Sequence, residues 1–223
     1  MYISSSTFDH NNGSGATVAD STAVVTNSAF LNNRDDGVTS IRFGSFDAIG
    51  CIFYGNGGDG FANHDECCGV YALDALIVTD CVVSNNAGVG IRCDTSRSTT
   101  VTNTVLRGNA AGGLSQDPYS TTAVVVTSLS NCTIFHNGGV AINSALGVLS
   151  LTVLDSAITG NTAAIAASVD RFGSVVLQRN LLSRNDGPSS VVSLESYGSV
   201  DFLVIDGNVI QGNVAGFALQ VTV

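Results

Sequence analysis

Lysine and tryptophan are absent from this 223-residue chain, and proline occurs only twice. All eight basic residues are therefore arginine, set against 18 acidic residues, for a net charge of -10. An acidic surface of this kind repels phosphate backbones, which argues against nucleic acid and anionic membrane as partners. It suits hard cations such as calcium, or neutral sugars. No run of about 18 apolar residues exists, so no transmembrane helix is expected. The opening MYISSSTF has no basic stretch followed by an apolar core, so no signal peptide is legible. Neither MYISSSTF nor the closing LQVTV reads as a cap, although solenoid ends need one. Two expectations follow: a piece of a longer protein, or end coils covered by a partner or by end-to-end self-association.

What the chain has instead is repetition. A short phrase returns nine times: a turn residue, a small residue, then a few alternating residues closing on Asn. Examples are NSAFLNN (Asn27–Asn33), DCVVSNN (Asp80–Asn86) and DSAITGN (Asp155–Asn161). The closing residues are Asn11, Asn33, Asn56, Asn86, Asn109, Asn137, Asn161, Asn185 and Asn213, spaced 22 to 30 apart. A period in this range marks a solenoid, and it runs from end to end, so residues 1–223 form one domain.

Aligning the phrases exposes columns. Val25, Ala48, Val78, Val101, Leu129, Val153, Leu177 and Ile205 stand two before the turn residue, with a second apolar column two residues earlier. Phe8, Phe30, Phe53, Val83, Leu106, Ile134, Ile158, Leu182 and Ile210 stand three after it. A Gly then usually precedes another apolar residue, as at Val38, Phe61, Ile91, Leu114 and Val140. This is period-2 alternation, so each repeat holds three short strands with one buried face. Stacking puts Phe8, Phe30 and Phe53 on one another. Asn and Gly recur at corners because they tolerate left-handed backbone angles.

The phrase VTSLSNCTIFHNGGVAIN (Val126–Asn143) carries a resemblance to the right-handed parallel β-helix superfamily, the pectate-lyase-like group. The resemblance covers essentially the whole chain and implies an all-β, single-stranded parallel β-helix of about nine coils. That scaffold carries lyases, hydrolases, epimerases, tailspikes and adhesins, so it implies no one activity. In the resembled group, substrates lie along the sheet built by the Gly-apolar strands. Its polygalacturonase branch has Asp-Gly at the start of such strands, which Asp36-Gly37-Val38 and Asp59-Gly60-Phe61 resemble. The Gly-His-Gly and Arg-Ile-Lys signatures of that branch are missing.

On that sheet the outward column reads Thr39, Ala62, Arg92, Ser115, Ala141 and Ala166. His64, Asp94, Asp117, Asn143 and Ser168 come two residues further on. Coils two to five thus gather the candidate catalytic residues Asp36, Asp59, His64, Arg92 and Asp94, beside Asp35, Asp65, Glu66 and Asp117 as substrate-binding residues. Asp59, Asp65 and Asp94 form the candidate metal set for calcium. Paired carboxylates serve a glycoside hydrolase as acid and base. In a lyase or epimerase they hold calcium against a uronate while a basic residue, Arg92 or His64, takes the proton. Asp also favours turns for backbone reasons alone.

The excursion HDECCGVYALDA (His64–Ala75) crowds His64, Asp65, Glu66, Cys67 and Cys68 together. Adjacent cysteines do not easily face one metal, so a zinc site, a vicinal disulfide and an ordinary loop all stay open. Cys51, Cys81 and Cys132 share one corner column and Cys93 takes an inward strand place, which reads as four core thiols. His10 and His136 read as solvated turn residues. Of two sequons, Asn12-Gly13-Ser14 lies in a loop and Asn131-Cys132-Thr133 at a corner.

These observations point to an extracellular or cell-surface β-helix engaging polysaccharide or surface glycan along its acidic face, with calcium as the cofactor to test. The activities compatible with it are a calcium-assisted lyase or epimerase and a glycoside hydrolase. The competing reading is a non-catalytic stalk or adhesin-like segment.

Overall fold

Each strand of this chain is too short to be stable alone, and the fold answers by stacking identical strands from successive coils. The computed structural model describes all residues except 42–43, 65–72, 94–96, 117–123, 146–147, 170, 188–189 and 223. Among the described residues there is no helix, and three parallel sheets of nine strands each make up the solenoid. The first sheet begins with Tyr2–Ser4, the second with Thr7–Asp9 and the third with Ala16–Ala19. Every coil contributes one strand to each, in that order.

The register is the one the apolar columns dictate. Val25 pairs with Ala48 and Ala48 with Val78, and all three are buried. Phe8, Phe30 and Phe53 stack at ring-centre distances of 4.9 and 5.2 Å, with their planes within 9°. A one-residue slip would turn each such column outward, so burial pins the register.

Both corners of the three-residue second-sheet strands are made by single residues in the left-handed region. Asn27, Gly50, Asp80, Asn103, Asn131 and Asp155 occupy the first corner at φ of 48–63°. His10, Asn32, Gly55, Asn85, Gly108 and His136 occupy the second at 50–67°. The bend at the second corner thus falls on the residue before the closing Asn, which places His10 and His136 in turns as the sequence suggests. The closing Asn itself turns inward. The Oδ1 of Asn86 accepts the Nδ2 of Asn56 at 2.9 Å and its backbone N–H at 3.1 Å, while the Nδ2 of Asn86 also donates to the carbonyl of Phe53 at 3.3 Å. The same pattern links all nine closing residues from Asn11 to Asn213.

A second ladder runs up the first corner. Cys51 N–H donates to the sulfur of Cys81 at 3.3 Å, and Cys81 N–H to Thr104 Oγ1 at 3.3 Å. Cys132 N–H donates to Ser156 Oγ at 3.1 Å, and Ser156 N–H to Asn180 Oδ1 at 2.9 Å. Cys51, Cys81, Cys93 and Cys132 are buried free thiols. The corner cysteines do more than fill space: their sulfurs accept from one coil while their thiols donate to backbone carbonyls, as Cys81 does to Thr79 at 3.2 Å. Burial pushes the Cys132 thiol up, which keeps it protonated for that task. Cys67 and Cys68 lie outside the described residues.

One column differs from expectation. Leu114 pairs with Ile142, not with Val140, so Asn143 rather than Ala141 faces outward from the third sheet. Ala141 is buried. The reason is a constant offset: the inward apolar residue stands five after the closing Asn in this and the preceding coils, and Val140 stands only three after Asn137.

Candidate functional site

The outward column of the third sheet runs Thr17, Thr39, Ala62, Arg92, Ser115, Asn143, Ala166, Ser193 and Gln220, each paired with the next. All but Ala62 and Ala166 carry a polar group, so the face offers hydrogen-bonding side chains at strand spacing, about 4.8 Å. Asp36 and Asp59 stand at the head of two of these strands, at the turn that follows the Asn ladder.

Both carboxylates point along the solenoid axis. Asp36 Oδ1 accepts the backbone N–H of Asp59 at 2.8 Å, and Asp59 Oδ1 accepts that of Val89 at 2.6 Å. Each therefore caps the coil after its own, opposite in sense to the ladder asparagines, whose Oδ1 accepts from the coil before. The other oxygens face the strand. Thr39 Oγ1 donates to Asp36 Oδ2 at 2.9 Å, and since that uses its one proton, Ser14 donates to Thr39 across 2.8 Å. Arg92 Nε meets Asp59 Oδ2 at 2.6 Å, with the Asp59 side chain 7% exposed and that of Arg92 30%. The coil after each aspartate carries Gly58 or Gly88 in the space the carboxylate fills, and an added Cβ there would collide with Asp36 or Asp59 Oδ1.

Of the residues singled out from sequence, Asp36, Asp59 and Arg92 thus come together on one polar strip with Thr39 and Ser14. Asp35 is exposed and its carboxylate lies beside Gly13. His64 ends its third-sheet strand opposite Ile41. Asp65, Glu66, Asp94 and Asp117 lie outside the described residues. Among the described residues no three His, Cys, Asp or Glu side chains converge as a metal-binding group. Both Asp59 oxygens already carry a donor, so a cation there would have to displace Arg92. A guanidinium held by a carboxylate stays charged, which suits Arg92 to binding an anion or hydroxyl rather than to accepting a proton.

Sequence reasoning passed over Thr39 and Ser14 as members of the site. Thr39 was legible, since a hydroxyl three residues after an aspartate is a common turn partner. Ser14 was not, because it approaches from the preceding coil.

The sequence of residues 1–144 matches the family model of the right-handed beta helix region. The chain belongs to the right-handed beta helix family. Among solved structures this beta helix is similar to the mannuronan C-5 epimerase AlgE6 A-module of Azotobacter vinelandii, at a TM-score of 0.51 and 18% identity. The match covers 98% of this chain and 57% of that one, so this beta helix spans little more than half its length. At that identity the likeness is one of fold. No curated protein matches the sequence significantly. Among the described residues, no helix is long and apolar enough to cross a membrane.

Proposed function

We propose that this beta helix binds an extended polysaccharide along the outward column of its third sheet, outside the cell or at its surface. The observation that carries this is the polar run Arg92, Ser115 and Asn143 on consecutive coils, with Arg92 paired to Asp59, and Thr39 beyond the buried Ala62 on the other side. Hydroxyl and amide groups at even spacing suit the hydroxyls of a sugar chain laid across the strands, and the guanidinium suits a carboxylate or a ring oxygen. The similar solved structure is an epimerase of mannuronan, which makes uronate polymers the first substrates to try.

Binding is the reading that the geometry supports best, because Asp36 and Asp59 are engaged in capping the next coil. That same engagement favours the stalk as a second reading, in which these carboxylates serve the backbone alone. A catalytic role rests on the sequence expectation alone, with His64, Asp94 and Asp117 as the groups to test and Asp59, Asp65 and Asp94 as the calcium set. Association through the last coil, where Phe202, Val214 and Phe217 are more than half exposed, is a separate partner proposal.

The test is a panel of uronate and neutral polysaccharides, with and without calcium, scored for binding, for unsaturated products and for exchange at sugar C5. Binding that is lost in Asn143→Leu with the unfolding midpoint unchanged, and in Arg92→Gln at temperatures where that variant is still fully folded, is expected. Wild-type binding to none of the panel would leave the stalk. Product formation would place the chain among the enzymes of the fold.

A further inference from the structure

Among the described residues, the second sheet carries no outward acidic residue from its fourth strand onward. On the second sheet from Val82–Ser84 onward, the outward residues are Val82, Ser84, Val105, Arg107, Thr133, Phe135, Ala157, Thr159, Leu181, Ser183, Val209 and Gln211. No carboxylate is among them. The adjoining corner reads Asn85, Gly108, His136, Gly160, Arg184 and Gly212, again without one. On a molecule of net charge -10, this edge carries Arg107 and Arg184 with no carboxylate in either column.

A groove of about 560 Å³ opens on it, lined by His136, Thr159, Gly160, Leu181, Ser183, Arg184, Gln211 and Gly212. Its shape follows from the corner column. His136, Gly160, Arg184 and Gly212 follow one another on successive coils, all at φ of 53–65°. The two glycines leave gaps on either side of Arg184. His136 leans over the first gap, its Cδ2 standing 2.5 Å from where a Gly160 Cβ would lie. His136 and Arg184 are thus two coils apart, about 10 Å at strand spacing, close to the length of two linked pyranose rings. Arg184 makes no ion pair with a described residue, unlike Arg92, Arg171 and Arg179. Asp186, two residues on, does not line the groove. The floor is Leu181, 37% exposed, between the hydroxyls of Thr159 and Ser183 and the carboxamide of Gln211.

We infer that this groove is a second glycan site, specific for an acidic sugar unit, on the face that adjoins the third sheet across the Asn ladder. Arg184 takes the carboxylate through its fork of N–H donors, Thr159 and Gln211 bond ring hydroxyls, and the C–H face of the ring lies on Leu181. The inference uses no residue of the third-sheet strip. One chain of sugars could lie on each face, so the solenoid would cross-link or grip a polymer rather than hold it at one point.

The experiment follows backbone amide resonances of the full chain during titration with an oligouronate and with a neutral oligosaccharide of equal length. Saturable shifts at Thr159, Ser183 and Gln211 are expected for the uronate alone. Arg184→Asn keeps a residue that tolerates the left-handed corner but removes the cation, and should weaken that binding about 10-fold or more. Gly160→Asn keeps the backbone angle but drives its side chain against the His136 ring and should weaken it likewise, while Arg92→Gln should leave these shifts intact. The inference is overturned if the neutral sugar gives the same shifts, if Arg184→Asn binds unchanged, or if no shifts occur. Inorganic sulfate producing the full pattern would also overturn it, reducing the groove to a plain anion site. Loss of third-sheet binding in Arg92→Gln with these shifts retained separates this site from the other.

Discussion

Asn109 Oδ1 accepts both the backbone N–H of Asn86, at 3.2 Å, and its side-chain Nδ2, at 2.9 Å, so one buried amide joins two coils twice. Its own Nδ2 donates onward to Asn137 Oδ1 at 3.0 Å and back to the Val83 carbonyl at 3.2 Å. Asn109→Ala would leave several buried polar groups unsatisfied at once. A loss of about 3 kcal/mol or more is expected, since one such group costs about 1–3 kcal/mol. Asn213→Ala, on the last coil and half-buried, should cost well under that. Urea unfolding midpoints of the two variants check the difference, and equal losses would mean that the ladder does not act as described.

The aspartate caps separate structure from binding. Asp59→Ala deprives both Val89 N–H and Arg92 of a partner and should destabilise by about 1–3 kcal/mol. Asp59→Asn retains an acceptor for Val89 N–H and should recover most of that loss, while removing the charge that holds Arg92. Gly88→Ala should act like Asp59→Ala, because the new methyl group meets the Asp59 carboxylate. Thermal unfolding of the three variants side by side is the measurement.

Four thiols should be silent in the native state. Cys51, Cys81, Cys93 and Cys132 are buried, so alkylation mapped by mass spectrometry should reach them only at the rate of unfolding. Cys81→Ser keeps an acceptor for the Cys51 N–H and should stay within about 1 kcal/mol of wild type, whereas Cys81→Ala should cost more. Rapid native labelling of any of the four would contradict the corner ladder.

Arg179 grips the Asp155 carboxylate through Nε at 2.7 Å and Nη2 at 2.8 Å. These hydrogen bonds hold the Asp155 carboxyl below the usual carboxylate range. A lowered folded-state value contributes stability above the unfolded carboxylate pKa, about 3.9, and that contribution fades as pH falls through the folded value. Because the pair is exposed, salt should weaken it. A carboxyl-carbon titration should find Asp155 below ordinary Asp in wild type and at the ordinary value in Arg179→Gln.

The nine closing asparagines, the apolar columns and the Phe8–Phe30–Phe53 stack were legible from the chain alone. Each coil repeats the same demands, and only one register buries every apolar column together. The family and the three strands per coil follow from that. What the chain could not reveal is where a side chain points once it reaches a corner. Asp36 and Asp59 look the same in sequence whether they face a substrate or a backbone N–H. Their direction depends on the coil beyond, 23 to 30 residues away, and on the glycine there that leaves room for an oxygen. Asn143 came to the strip through pairing with Ser115, and the cysteines became rungs of a ladder through N–H groups of neighbouring coils. Repetition along the chain sets the coil; contact between coils, made in the third dimension, decides which polar group supports the scaffold and which is left to meet a ligand.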